Sequence, residues 1–131
     1  MSDVETVDFV EQASAYGFDD TIQRLIKAIE SAGMTVLARI DHAAGARHIG
    51  MTMPNTIVML YGHPRGGTPI MQAAPHAALD LPLRALIRET ETGQVMVAYH
   101  PIAAALRRDG VPEELAKRLE PAQKLVLEAI R

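Results

Sequence analysis

Chemistry in this chain has to come from histidine, carboxylate and glycine-rich backbone, because cysteine is absent. That removes thiolate nucleophiles, iron–sulfur clusters and thiolate zinc sites together, and leaves only His, Asp, Glu or Met for a metal. Five histidines are present: His42, His48, His63, His76 and His100. Their spacing offers neither a His-Glu-x-x-His helix nor a close His pair, so no metal site is expected. Asp41 beside His42 is a carboxylate able to orient an imidazole, with His63 reaching over from the neighbouring strand end. Such a set would exchange protons in a hydrolase or isomerase. Asp80, set between Leu79 and Leu81, completes the acid–base candidates: burial would raise its pKa, while the alternative is a turn cap ahead of Pro82. No serine has the flanking glycines of a nucleophile elbow, which argues against serine hydrolase chemistry.

The most informative stretch is Gly62-His63-Pro64-Arg65-Gly66-Gly67-Thr68-Pro69. Read as a loop, it ends in a helix capped by Thr68 with Pro69 at its first position. Flexible backbone entering a helix N-terminus aims N–H groups at an anion, and Arg65 adds charge. His63, Arg65, Gly66, Gly67 and Thr68 are therefore the expected ligand-binding residues. The Gly-Lys-Ser/Thr element of a Walker A loop is missing. The competing explanation is a structural turn whose glycines merely permit unusual backbone angles.

The elements that hold these residues must fit a chain of 131 residues, 48% hydrophobic and 22% charged. That suits one domain over residues 1–131, able to bury roughly two thirds of its unfolded surface. Sixteen acidic against 13 basic residues give a net charge of −3, and no basic block is present, so nucleic acid is not an expected partner. The acidic start Met1-Ser2-Asp3-Val4-Glu5 is not a signal sequence, and no apolar run reaches the roughly eighteen residues of a membrane span. A cytoplasmic domain without a membrane partner is expected. Seven methionines, Met51 and Met53 near His48 among them, suit core or dimer packing better than soft-metal binding.

Periodicity predicts strands over Val4–Ala13, Met34–Asp41 and Thr56–Tyr61, and a hairpin of Leu83–Glu89 with Gln94–Tyr99 around Thr90-Glu91-Thr92-Gly93. Helices are predicted over Asp19–Ala32, Ile70–Ala74 and Ile102–Arg108, from Pro112 through Leu119, and from Pro121 onward. The segment Ala43–Gly50 is left as a short helix or a loop. This order lacks the regular alternation of a doubly wound sheet and predicts an α+β fold, a two-layer α/β sandwich with a largely antiparallel sheet.

Several blocks then occur in order: Gly17-Phe18-Asp19-Asp20-Thr21, Ile40-Asp41-His42, Met53-Pro54, Tyr61-Gly62-His63-Pro64 with Gly67-Thr68-Pro69-Ile70-Met71-Gln72, and Ala78 to Leu86. Together they resemble the signature of the DUF302 family over about Val7 to Pro101, with helices 102–131 beyond. The resemblance implies a sandwich with likeness to the TATA-binding-protein fold, often homodimeric. It does not imply DNA binding, since a fold is no warrant for function. His63 stands where the family usually has Asn in a Gly-Asn-Pro turn; a neutral imidazole keeps a donor and an acceptor, so a turn-stabilising hydrogen bond can survive.

Three functions follow. The first is a homodimeric, non-enzymatic domain binding a small molecule or anion at turn 62–69, with Asp41, His42 and Asp80 as polar lining. The second is an enzyme using Asp41, His42, His63 or Asp80. The third is a structural domain that dimerises through its exposed sheet or terminal helices. No cofactor is specified by the residues.

Overall fold

A computed structural model describes residues 8–131. β-Forming residues at period two build a five-stranded, wholly antiparallel sheet in the order β1-β5-β4-β3-β2. Its strands are β1 (Val10–Ala13), β2 (Thr35–Asp41), β3 (Thr56–Gly62), β4 (Leu83–Glu89) and β5 (Val95–Tyr99). The first strand is shorter than Val4–Ala13 predicts, and the Val4–Val7 part of that prediction lies outside the described residues. Along β3, Ile57, Met59 and Tyr61 are buried while Val58 and Leu60 are only partly so; β4 repeats the pattern with Leu83, Ala85 and Ile87. One sheet face thus enters the core.

That face is covered by α1 (Phe18–Ser31), α3 (Pro64–Ala73), a short 3-10 helix (Pro75–Leu79), α4 (Ile102–Arg108) and α6 (Glu120–Glu128), all of which supply core residues. In α1, Ile22, Leu25 and Ile29 lie on one stripe and are buried, with Asp19 and Asp20 in the first turn where the helix dipole favours negative charge. Gly33, at φ +83, ends it. Segment 43–50 resolves as a helix, α2 (His42–His48), packed against β3. α5 is only Glu113–Ala116, because Pro112 fixes its start and Lys117 already ends it.

α6 ties the layers together. Tyr61, fully buried, donates its hydroxyl to the Ala122 carbonyl at 2.8 Å, and desolvation keeps that phenol protonated well above its ordinary range. The buried Gln123 accepts from the Ile102 N–H at 2.9 Å and donates to the His100 carbonyl at 2.8 Å.

Candidate functional site

The turn after β3 is helical from Pro64, which corrects the expected loop over Gly62–Gly67. His63 is the cap: its Nδ1 accepts from the Arg65 N–H at 3.0 Å. Pro64 follows at the first helical position, where its missing N–H is harmless. Gly66 and Gly67 donate to the His63 carbonyl at 3.0 and 3.2 Å. The Arg65, Gly66 and Gly67 N–H groups are therefore engaged inside the chain, and an anion cradled by these three amides has no free N–H among them to receive it. Thr68 is not the cap, and Pro69 sits inside the helix rather than at its start. A histidine cap with proline behind it nucleates the helix earlier than Thr68-Pro69 would, despite two poor helix formers in the first turns.

Those glycines have a second consequence. A Cβ at Gly66 would lie 3.3 Å from Leu119 Cδ2, and one at Gly67 would lie 3.7 Å from both Leu81 Cδ1 and Met71 Cε. With no side chains of their own, they leave space beside α3. A cavity of about 630 Å³ opens there, a size suited to a small molecule. Its walls come from four parts of the chain: His63 to Thr68 with Met71 on α3, Ala32 to Thr35 with Leu37 entering β2, Leu81-Pro82-Leu83 entering β4, and Leu119. Tyr61 and Gly62 of β3 close it below. The lining is mostly aliphatic and thioether, so its shape is adaptable where Met34 and Met71 meet it. Polar character is concentrated in the exposed Thr35, His63, Arg65 and Thr68, and none of the ion pairs among the described residues involves Arg65.

All five expected ligand-binding residues, His63, Arg65, Gly66, Gly67 and Thr68, line this cavity. The acid–base candidates do not converge on it. Asp41 pairs with Ile57 at the start of β3, whereas His63 follows the end of that strand; six residues at roughly 3.3 Å each separate them by about 20 Å. His63 therefore cannot reach over to Asp41 and His42, because antiparallel pairing puts the end of β2 beside the beginning of β3. The Asp41 carboxylate is already occupied, accepting from the Ala44 N–H at 2.9 Å as the cap of α2. Asp41, His42 and Asp80 are absent from the lining, so their expected role as its polar groups is corrected. Among the described residues no group of three His, Asp or Glu side chains is placed to hold a metal ion.

Asp80 ends the 3-10 helix, and Asp109, not singled out as a candidate by the sequence, ends α4 with its Oδ2 buried and without a hydrogen-bond partner. Contact with Asp80, helped by desolvation and opposed by Arg108 and His76, raises the pKa of Asp109 above the ordinary aspartate value. Only the Asp109-Gly110 helix stop was legible, and nothing in the spacing points to Asp80. The apolar walls were missed as a set, although Gly-Gly inside a helix is a signal for close approach.

The DUF302 family model, described as "Domain of unknown function DUF302", matches residues 10–130. A crystal structure of an uncharacterized conserved DUF302 protein from Bacillus stearothermophilus superposes with a TM-score of 0.87 at 15% identity, covering 96% of this chain and all of that one. That likeness shows the fold. Among curated proteins, fluoride-specific ion channel FluC 1 of Brucella suis is 34% identical over 108 residues, 82% of this chain and 42% of the relative. FluC 1 of Brucella abortus and FluC 2 of Brucella melitensis match at the same identity, with 40% of their length covered. The chain thus spans about two fifths of the curated relatives it matches. Among the described residues no helix is long and apolar enough to cross a membrane.

Proposed function

The chain belongs to the DUF302 family, and on that premise we propose that it is a cytoplasmic binding domain for a small molecule with an apolar body and an anionic end. The observation that carries this reading is the cavity of about 630 Å³ beside α3. Its aliphatic walls favour an apolar body through burial, at roughly 25 cal/mol for each Å² withdrawn from water. Arg65 supports the anionic end, because it lines the cavity, is exposed and carries a guanidinium that can grip a carboxylate with paired donors. The helix amides play no part, being engaged within the turn.

The test is calorimetry and thermal unfolding with straight-chain carboxylates of graded length, the matching primary alcohols, aromatic carboxylates and sodium fluoride. Stabilisation should grow with apolar length, then fall when the cavity is full, and each acid should bind more tightly than its alcohol. Arg65→Ala should erase the preference for acid while sparing the alcohols. A shift from fluoride alone would move the function toward the activity named for the Brucella relatives; no shift from any apolar compound would end the cavity reading.

A second reading is homodimerisation through the other sheet face. Register places Ile40, Val58, Leu86 and Ala98 in one row across β2, β3, β4 and β5, none of them in the core cluster. Of these Ile40 is exposed, Val58 and Leu86 are half-buried and Ala98 is buried, while Ile49, Met51 and Met53, following α2, are exposed. Light scattering of the chain and of Ile40→Lys measures it: a dimer that the substitution splits supports this face, and a monomeric parent rejects it.

A further inference from the structure

A second recess lies on the sheet face opposite the core, where the register sets Glu11, Ala98 and Leu86 side by side across β1, β5 and β4. Ala98 is only 6% exposed although it belongs to this open face. Its methyl group is covered because its neighbours stand taller. On one side Arg88 of β4, in the next row opposite Met96, reaches over β5 to Glu11 of β1 and donates to its carboxylate at 3.0 and 3.2 Å. Two bonds to one carboxylate hold the guanidinium plane and balance its charge. On the other side His100, two residues beyond Ala98, meets Phe9 edge to face, with ring centres 6.5 Å apart and planes at 87°. His100 Nδ1 donates to the Asp8 carbonyl at 2.8 Å, which ties that ring down as well. The recess between these two rims measures about 270 Å³, the share of roughly nine water molecules.

We propose that this recess is a binding site for an uncharged, flat aromatic molecule of one ring or two fused rings, seated on Ala98 between the Arg88–Glu11 pair and the Phe9–His100 pair. Each side offers a ring what it prefers. A guanidinium held flat stacks on an aromatic face, Phe9 and His100 supply edge or face contacts, and Ala98 with Leu86 gives an apolar floor. Phe9 is 44% exposed, and a ring laid against it withdraws apolar surface of both from water. A charged ligand gains nothing further, because Glu11 already answers Arg88. The site is thus unlike the cavity beside α3, whose walls are aliphatic and whose Arg65 has no ion-pair partner among the described residues. It rests on neither reading given above, and a dimer formed through this face would compete with it.

Amide and methyl NMR titrations of the full chain with indole, phenol and cyclohexanol test the site. Indole and phenol should shift the Leu86, Ala98 and His100 amides saturably and move the Ala98 methyl resonance by ring current. Cyclohexanol, similar in size to phenol but not flat, should leave them in place. Ala98→Leu fills the recess from its floor and should abolish the shifts. Arg88→Lys keeps a cation opposite Glu11 but removes the flat surface, and should weaken indole about threefold. The proposal is overturned by cyclohexanol acting as indole does, by an indole affinity unchanged in either variant, or by indole shifts confined to residues 62–71 at the α3 cavity. Self-association through this face that keeps indole out would overturn it as well. If Ala98→Leu does not fold, Arg88→Lys and the cyclohexanol comparison decide. Failure of the carboxylate series at α3 would leave this site standing, and loss of this site would leave that series untouched.

Discussion

His63 does with a ring nitrogen what an N-cap asparagine does with its amide oxygen. Its Nδ1 accepts from Arg65 N–H at 3.0 Å, so the departure from the Asn of the Gly-Asn-Pro turn preserves the acceptor and changes only the residue supplying it. His63→Asn should therefore unfold in urea within a few tenths of a kcal/mol of the parent, whereas His63→Ala should lose about 1 kcal/mol. Equal losses in both would show that the ring contributes by packing rather than as a cap. Glu113 offers a second residue-scale test. Hydrogen bonds from Arg107, at 2.6 and 2.8 Å, and the neighbouring Lys117 lower its pKa to about 2. The contribution of this pair is present above the pH at which an unfolded glutamate ionises and is lost as pH falls through about 2. Arg107→Gln should move the Glu113 carboxyl titration back toward the ordinary glutamate range.

At the scale of elements, α3 trades helix propensity for space. Glycine in a helix interior costs about 0.5–1 kcal/mol relative to alanine. A Cβ at Gly67 would make ordinary contact at 3.7 Å with Leu81 and Met71. Gly67→Ala should stabilise the fold by roughly that amount, seen as a higher unfolding midpoint, while Gly67→Leu should fill the cavity and abolish binding of the longer carboxylates. The elements whose periodicity is strong were legible in the sequence: β4 and α4 fall on Leu83–Glu89 and Ile102–Arg108 as read, and α1 within a residue. α3 was not, because Gly66-Gly67 has the composition of a loop and only tertiary contact with Leu81, Met71 and Leu119 makes the pair useful in a helix. The candidate site was half legible for the same reason. Its local turn could be read from neighbours in sequence, but its walls from β2, Leu81–Leu83 and Leu119 meet only after folding.

For the whole molecule, the C-terminal helix decides whether these parts form one cooperative body. The DUF302 match runs to residue 130, beyond the signature blocks that end near Pro101, and the structure gives the reason. α6 and the residues after it reach three distant strands and a helix. The Gln12 side chain donates to the Leu127 carbonyl, the Ala15 N–H to Ile130 and the Tyr16 hydroxyl to Arg131, tying down the chain leaving β1. Tyr61 reaches Ala122 from β3, and Gln123 joins the end of β5 to the start of α4. Gln123 is therefore a more telling probe than an apolar neighbour such as Val126, whose truncation would report packing alone. In Gln123→Ala the Ile102 N–H and the His100 carbonyl lose their partner at a buried seam, each group exposed to a penalty of about 1–3 kcal/mol when water cannot reach it. Gln123→Glu keeps the acceptor for Ile102 but can donate to His100 only while its carboxyl is protonated, so its loss should lie between parent and Ala when the carboxyl is protonated and exceed Ala when it is ionised. Urea unfolding of the three chains at acidic and neutral pH measures this. A Glu variant no more sensitive to pH than the parent would show that water enters the seam and that α6 is held by its apolar face alone.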